Sequence, residues 1–175
     1  DLWAYYSNAD EVELFVNGKS CGIKKKEKDV YHVSWRVTFE PGTVRVVSRK
    51  NGKEVLSREL HTAGEPARIR LSADRNSIKA DGVDLSFVTV DILDRDGNLC
   101  PHADNLVKFE VDGAAFVSGV DNGSPISSES FKKPERKAFY GKCLVVLQNN
   151  TAQGEIRLKA TSAGLQESAL TLEAR

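Results

Sequence analysis

Long apolar runs are missing from this chain of 175 residues. None approaches the roughly 20 residues that cross a bilayer as a helix, and the start has neither the basic nor the apolar stretch of a secretory signal. Net charge is missing too. The 25 Lys+Arg and 25 Asp+Glu cancel, so no overall field draws the chain toward nucleic acid or an anionic membrane. Cysteine is sparse: Cys21, Cys100 and Cys143 contain no C-x-x-C pair, and an odd number excludes complete pairing within one chain. Cys143 opens the apolar run that ends at Leu147, so the cysteines are expected to be free, buried thiols. No spacing favours a Cys100–Cys143 disulfide. There is no initiator methionine, and the first residues already read as a strand, so the chain reads as a piece of a longer protein.

Helical periodicity is the next absence, since apolar residues at i, i+3, i+4 and i+7 find no sustained match. Alternation is what the chain has. Val12, Leu14 and Val16 face one way, and Tyr31, Val33, Trp35, Val37 and Phe39 make a longer apolar stripe. Further on, Ile69 and Leu71, then Val88, Val90 and Ile92, then Val107, Phe109 and Val111 repeat the pattern. So do Ile156 and Leu158, and Leu170 and Leu172. Each such strand buries one face. Asn-Gly at 17–18, 51–52 and 122–123 and Asp-Gly at 81–82, 96–97 and 112–113 supply tight reversals. Short alternating strands between turns predict an all-β protein made of two antiparallel immunoglobulin-like β-sandwich domains in tandem.

Thr62-Ala63-Gly64-Glu65-Pro66 interrupts the strand pattern and places the boundary, giving domains at 1–63 and 64–175. The run Lys24-Lys25-Lys26-Glu27-Lys28 reads as a solvated flank that blunts a sheet edge.

Several motifs hint at chemistry and fall short of it. Gly18-Lys19-Ser20 ends like a phosphate loop, but Glu13 stands where that loop needs glycine, and the segment lies in a hairpin. Asp94-Arg95-Asp96-Gly97-Asn98 begins like a calcium loop, but Leu99 and Asn105 occupy its obligatory glycine and glutamate positions, leaving a polar turn. His32, His61 and His102 are far apart, and Cys100 with His102 is half a zinc site. No Gly-x-Ser-x-Gly elbow occurs. The residues therefore nominate no catalytic group, no cofactor and no metal site.

Two regions remain as candidate interaction surfaces. Trp3 and Tyr5 share one face of the first strand, suited to a sugar ring or a protein partner, whereas Trp35 lies on the most apolar stripe and is expected in the core. Gly119 to Lys142 joins the Asp121-Asn122-Gly123 turn to a polar stretch too long for a tight hairpin. Asp121, Asn122 and Arg136 are its candidates for a functional surface; otherwise it is a structural loop anchored by Phe131 and Phe139.

A family likeness runs along the whole sequence. The string from Tyr6 to Ser20, with Trp35 and Glu40-Pro41-Gly42-Thr43, resembles the accessory β-domain that follows the catalytic barrel in bacterial family 2 glycoside hydrolases of the β-galactosidase type. Ala80-Asp81-Gly82, Asp94 to Asn98, Gly119 to Gly123, and Glu129 to Lys142 look like that family's last C-terminal, invasin-like Ig domain. The resemblance implies a parent enzyme that hydrolyses terminal β-galactosides with retention, from a barrel absent here. It also implies a periplasmic or secreted location. This chain would then be an inactive accessory part whose partners are the barrel and other domains of the same parent, with homo-oligomers formed through the parent and weak or no sugar binding of its own. An independent carbohydrate-binding or adhesion module is the alternative.

Overall fold

The computed structural model describes residues 1–175 and contains fifteen strands and no helix. The chain divides into two compact units, Asp1–Thr62 and Ala63–Arg175.

The first unit has six strands: β1 (Leu2–Tyr5), β2 (Glu11–Val16), β3 (Lys19–Lys24), β4 (His32–Trp35), β5 (Thr43–Lys50) and β6 (Lys53–His61). They form a two-stranded sheet, β1-β4, and a four-stranded sheet, β3-β2-β5-β6, with every pair antiparallel. Two of the predicted turns close the hairpins. Asn17-Gly18 and Asn51-Gly52 all have positive φ, the geometry whose twist matches that of paired strands. Val12, Leu14, Val33 and Trp35 are the buried centre, with Leu2, Ala4, Tyr6, Val16, Val37, Val44 and Val46 packed around them.

Trp35 is in that core as expected, 4% exposed, and its indole N–H donates to the Gly22 carbonyl. The rest of its stripe is shorter than the alternation predicts. Strand β4 ends at Trp35, and Tyr31 and Phe39 stand in solvent. The reason is the partner: β1 has four residues, so only four on β4 find ladder bonds.

The second unit contributes β7 (Arg68–Ala73), β8 (Ser77–Ile78), β9 (Leu85–Leu93), β10 (Leu106–Gly113), β11 (Ala115–Asp121), β12 (Glu135–Lys137), β13 (Lys142–Asn149), β14 (Gly154–Thr161) and β15 (Ser168–Ala174). One sheet runs β12-β10-β14-β15-β8 and the other β11-β13-β9-β7. Pairing is antiparallel except at the short β8, which lies parallel to the end of β15. The alternating positions meet between the sheets: Val88, Val90 and Ile92 from β9, Val145 and Leu147 from β13, Val107 and Phe109 from β10, Ile156 and Leu158 from β14. On the opposite face of its sheet, Asp91 joins Arg70 on β7 and Lys142 on β13 in one row across three strands.

All three cysteines are free, but only Cys100 and Cys143 are buried; Cys21 is exposed. That corrects the expectation for Cys21, which lies on edge strand β3, where every residue faces water. Burial pushes the Cys143 thiol up to about 12 and raises that of Cys100, so neither offers a thiolate at neutral pH.

Candidate functional site

The segment from 122 to 134 leaves β11, the edge strand of one sheet, and arrives at β12, the edge strand of the other, so it must pass from sheet to sheet. Such a crossing carries backbone groups that no ladder satisfies. Arg136 supplies the missing donors. It sits opposite Val107 in the β10–β12 register, and its side chain is fully buried. Nη1 donates to the Glu129 carbonyl at 3.1 Å, and Nη2 donates to Asn122 Oδ1 at 2.9 Å. Asp121 Oδ1 lies 3.5 Å from Nη2, Glu129 Oε2 lies 3.9 Å from Nε, and the Phe131 ring is 5.1 Å from the guanidinium carbon.

Arg136 is therefore no surface residue, contrary to the sequence reading. Its guanidinium is turned inward, with Nη1 and Nη2 each making a hydrogen bond, because a loop this long needs a fork of donors to hold it. Asn122 is equally committed: its amide donates to the Lys137 carbonyl and its oxygen also accepts from Ser124 N–H. Asp121 is half exposed, and its Oδ1 accepts from the N–H groups of Asn122 and Gly123. The expected anchors differ as well. Phe131 is 57% exposed and Phe139 only half-buried, so the guanidinium fastens the loop. Ile126, 90% exposed, and Phe131 are the apolar groups this loop turns to solvent.

The Asp94 turn is a second fastening. Asp94 is buried, its Oδ2 accepts from Gly64 N–H at 2.8 Å and from the Asn98 amide at 3.0 Å, and its Oδ1 accepts from Asn98 N–H at 2.8 Å. Those donors, Gly64 first, hold the carboxyl down at about 2 against an ordinary 3.8. Both oxygens serve the protein's own N–H groups, which accounts for the acidic turn structurally. With a folded-state pKa below the unfolded one, the turn's contribution is complete above the ordinary aspartate range and disappears as pH falls toward about 2. Acid unfolding of Asp94→Ala followed by circular dichroism is expected to be less steep between pH 4 and 2 than that of the parent (roughly these bounds), from a lower starting stability.

The aromatic face is exposed. Trp3 and Tyr5 project from β1 with 60% and 66% of their surface open. His32, opposite Tyr5 on β4, stacks on Trp3 with ring centroids 4.7 Å apart and planes 10° from parallel, and lies 5.1 Å from Tyr5. At the end of the same sheet Asp1 accepts two hydrogen bonds from the Arg36 guanidinium. Alternation placed Trp3 and Tyr5 together; it carried no signal for His32, whose position depends on the β1–β4 register.

Fold and site together describe a tandem β-sandwich whose conspicuous polar residues hold loops in place. No three His, Cys, Asp or Glu side chains converge as a metal-holding group. Residues 69–171 match the model for glycoside hydrolase family 2 C-terminal domain 5, and residues 2–56 match a domain of unknown function, DUF4982. The chain is 60% identical over 174 residues to the β-galactosidase BoGH2A of Bacteroides ovatus, covering 99% of this chain and 20% of that protein. It is 35% identical to a putative β-glucuronidase of Formosa agariphila over 84% of this chain and 14% of the relative. Among solved structures, a family 2 member from Bacteroides cellulosilyticus superimposes with a TM-score of 0.91 at 37% identity, covering 97% of this chain and 22% of that one. A β-glycosidase from Bacteroides vulgatus gives 0.91 at 33% identity, with the same coverages. The chain belongs to glycoside hydrolase family 2, as a C-terminal portion; it spans about a fifth or less of the curated relatives named here.

Proposed function

We propose that this chain is the non-catalytic accessory portion of a retaining β-galactosidase, whose hydrolytic barrel lies elsewhere in the full-length protein. The observation that carries the reading is the 60% identity extending over nearly all of this chain but a fifth of a β-galactosidase. Its role is to support the assembled enzyme and shape access to the substrate. The faces offered for that role are the Trp3–Tyr5–His32 surface and the loop around Asp121, Asn122 and Phe131. The partners are the barrel and neighbouring domains of the same polypeptide. Purified alone, the chain is expected to release no chromophore from nitrophenyl β-galactoside, while the full-length protein does so and prefers it over the β-glucuronide. Turnover by the chain alone overturns the accessory role, and a preference for the glucuronide overturns the substrate.

One observation favours a second reading, sugar binding by the accessory portion itself: two aromatic rings lie open on one sheet face beside the polar groups of Asp1 and Arg36. Stacking on a pyranose would make Trp3→Ala abolish glycan-array binding without moving the melting temperature.

A further inference from the structure

Asn-Gly occurs three times in the chain, at 17–18, 51–52 and 122–123, and the fold treats the three differently. An asparagine followed by glycine carries a reaction within itself. The glycine amide nitrogen, once it has given up its proton, attacks the side-chain carbonyl carbon of the asparagine, and a succinimide ring closes as ammonia leaves. Water then opens the ring at either carbonyl, leaving aspartate or isoaspartate. A water is consumed and an ammonia released, with no oxidant or reductant. Glycine is the partner that hinders the approach least, because it has no Cβ. What decides the rate in a folded chain is whether the asparagine side chain is free to swing onto that nitrogen, since reaction needs a near-attack arrangement.

Asn17-Gly18 and Asn51-Gly52 are a matched pair. Each closes a two-residue hairpin with positive φ at both positions, 49° and 78° in the first, 50° and 76° in the second. Both asparagines are exposed, and a Cβ placed on either glycine would meet nothing within 4 Å. Neither glycine N–H bonds a backbone acceptor. The side chains are what differ. The Asn17 amide donates to the Pro41 carbonyl at 3.2 Å, and its oxygen accepts from Thr43 N–H at 2.8 Å, so the group is held at both ends. Asn122 is held by three bonds: its amide donates to the Lys137 carbonyl, and its oxygen accepts from Arg136 Nη2 and from Ser124 N–H. The Asn51 side chain makes no hydrogen bond. Only its backbone is fastened, through the N–H that donates to Asp10 Oδ2 at 2.6 Å.

We propose that Asn51 is a site of spontaneous covalent modification, converting through a succinimide with Gly52 to aspartate and isoaspartate, while their side-chain hydrogen bonds protect Asn17 and Asn122. To react, Asn17 must first break two such bonds and Asn122 three; at the usual net strength of a hydrogen bond, two already slow the reaction about tenfold. The consequence falls on the β5–β6 hairpin. Isoaspartate carries the backbone through its own side chain, adding a methylene to a reversal built for two residues between the paired Lys50 and Lys53. The new carboxylate also arrives beside that of Asp10. The inference goes beyond the accessory role and does not depend on which sugar the parent cleaves.

The test ages the 175-residue chain and the full-length protein in warm, mildly alkaline buffer made with heavy-oxygen water, then maps the peptides by mass and by isoaspartyl methyltransferase labelling. Residue 51 is expected to take up heavy oxygen at least about tenfold faster than residues 17 and 122 in both proteins. In the urea-unfolded chain the three should convert at similar rates, because they share the dipeptide. Asn51→Gln should abolish the fast conversion, since its longer side chain has to close a larger ring. The isoaspartyl fraction, separated by chromatography, should exchange the amides of residues 49–54 faster than Asn51→Asp, which has the charge without the added methylene. Equal rates at the three sites in the folded chain overturn the proposal, as does a ranking that survives unfolding, which would place the selectivity in the neighbouring sequence. A residue 51 that stays intact in the full-length protein, or an isoaspartyl fraction whose exchange matches that of Asn51→Asp, also overturns it. Because the readout is mass and exchange, it is separate from any failure to find β-galactosidase activity.

Discussion

Trp35→Ala is expected to unfold the first unit. Truncating a buried large aromatic costs about 3–5 kcal/mol. A domain of this size commands a total of roughly 3–9 kcal/mol at usual stabilities per residue. The site has little capacity to collapse around the loss. Only Val12, Leu14 and Val33 are buried beside Trp35, in a sandwich whose upper sheet is two strands wide. The indole also satisfies the Gly22 carbonyl and lies under Lys24 Nζ at 5.6 Å, so its removal loosens the contact between β4 and β3. Heteronuclear NMR should show the resonances of Asp1–Thr62 collapsing toward random-coil positions while those of Ala63–Arg175 keep their dispersion. Trp35→Phe keeps a ring and loses the hydrogen bond, worth about 1 kcal/mol, and is expected to stay folded. A folded Trp35→Ala variant that has lost only sugar affinity would make Trp35 a binding platform rather than a core residue.

The same residue shows how far alternation reaches. It placed Trp35, Val33, Leu14 and Val12 in one core because side chains two apart share a strand face. In the second unit it found Val88, Val90 and Ile92, and Ile156 and Leu158, for the same reason. It overran at Tyr31 and Phe39 because strand length is set by the partner, and the four residues of β1 are a long-range fact. The turn dipeptides were legible where both central residues adopt positive φ. Tyr140-Gly141, which reverses the chain between Phe139 and Lys142 with φ of 50° and 76°, carried no such signal because tyrosine seldom takes that conformation. Asn149 was silent for a related reason. Its buried amide donates to the carbonyls of Ala114 and Ala152 and accepts from Gly82 and Thr151 N–H, uniting loops far apart in sequence.

Arg136→Ala is expected to be the most damaging polar substitution in the second unit, costing about 3–5 kcal/mol, the scale for removing one member of a buried charge cluster. For a unit of this length that lowers the melting temperature by about 15 °C. The loss has separable parts. The Glu129 carbonyl and Asn122 Oδ1 forfeit their donors, Asp121 and Glu129 forfeit their counter-charge, and a cavity opens opposite Val107. Arg136→Lys retains charge without the fork, so it should recover part of the stability and leave the loop loosely held. Asp121→Ala should cost about 1 kcal/mol, since its carboxylate is half hydrated and the guanidinium keeps its other partners. Melting alone would not tell a loosened loop from a weakened core. Cys143 distinguishes them: it lines the same shallow cavity as Asp121, Asn122 and Gly123, and it is buried with its thiol pushed up to about 12. Freeing the loop should speed alkylation of Cys143 at temperatures well below the melt, with cleavage by protease within 122–134. If alkylation of Cys143 accelerates only at the global transition, Arg136 serves the core as a whole and the loop has its own means of attachment.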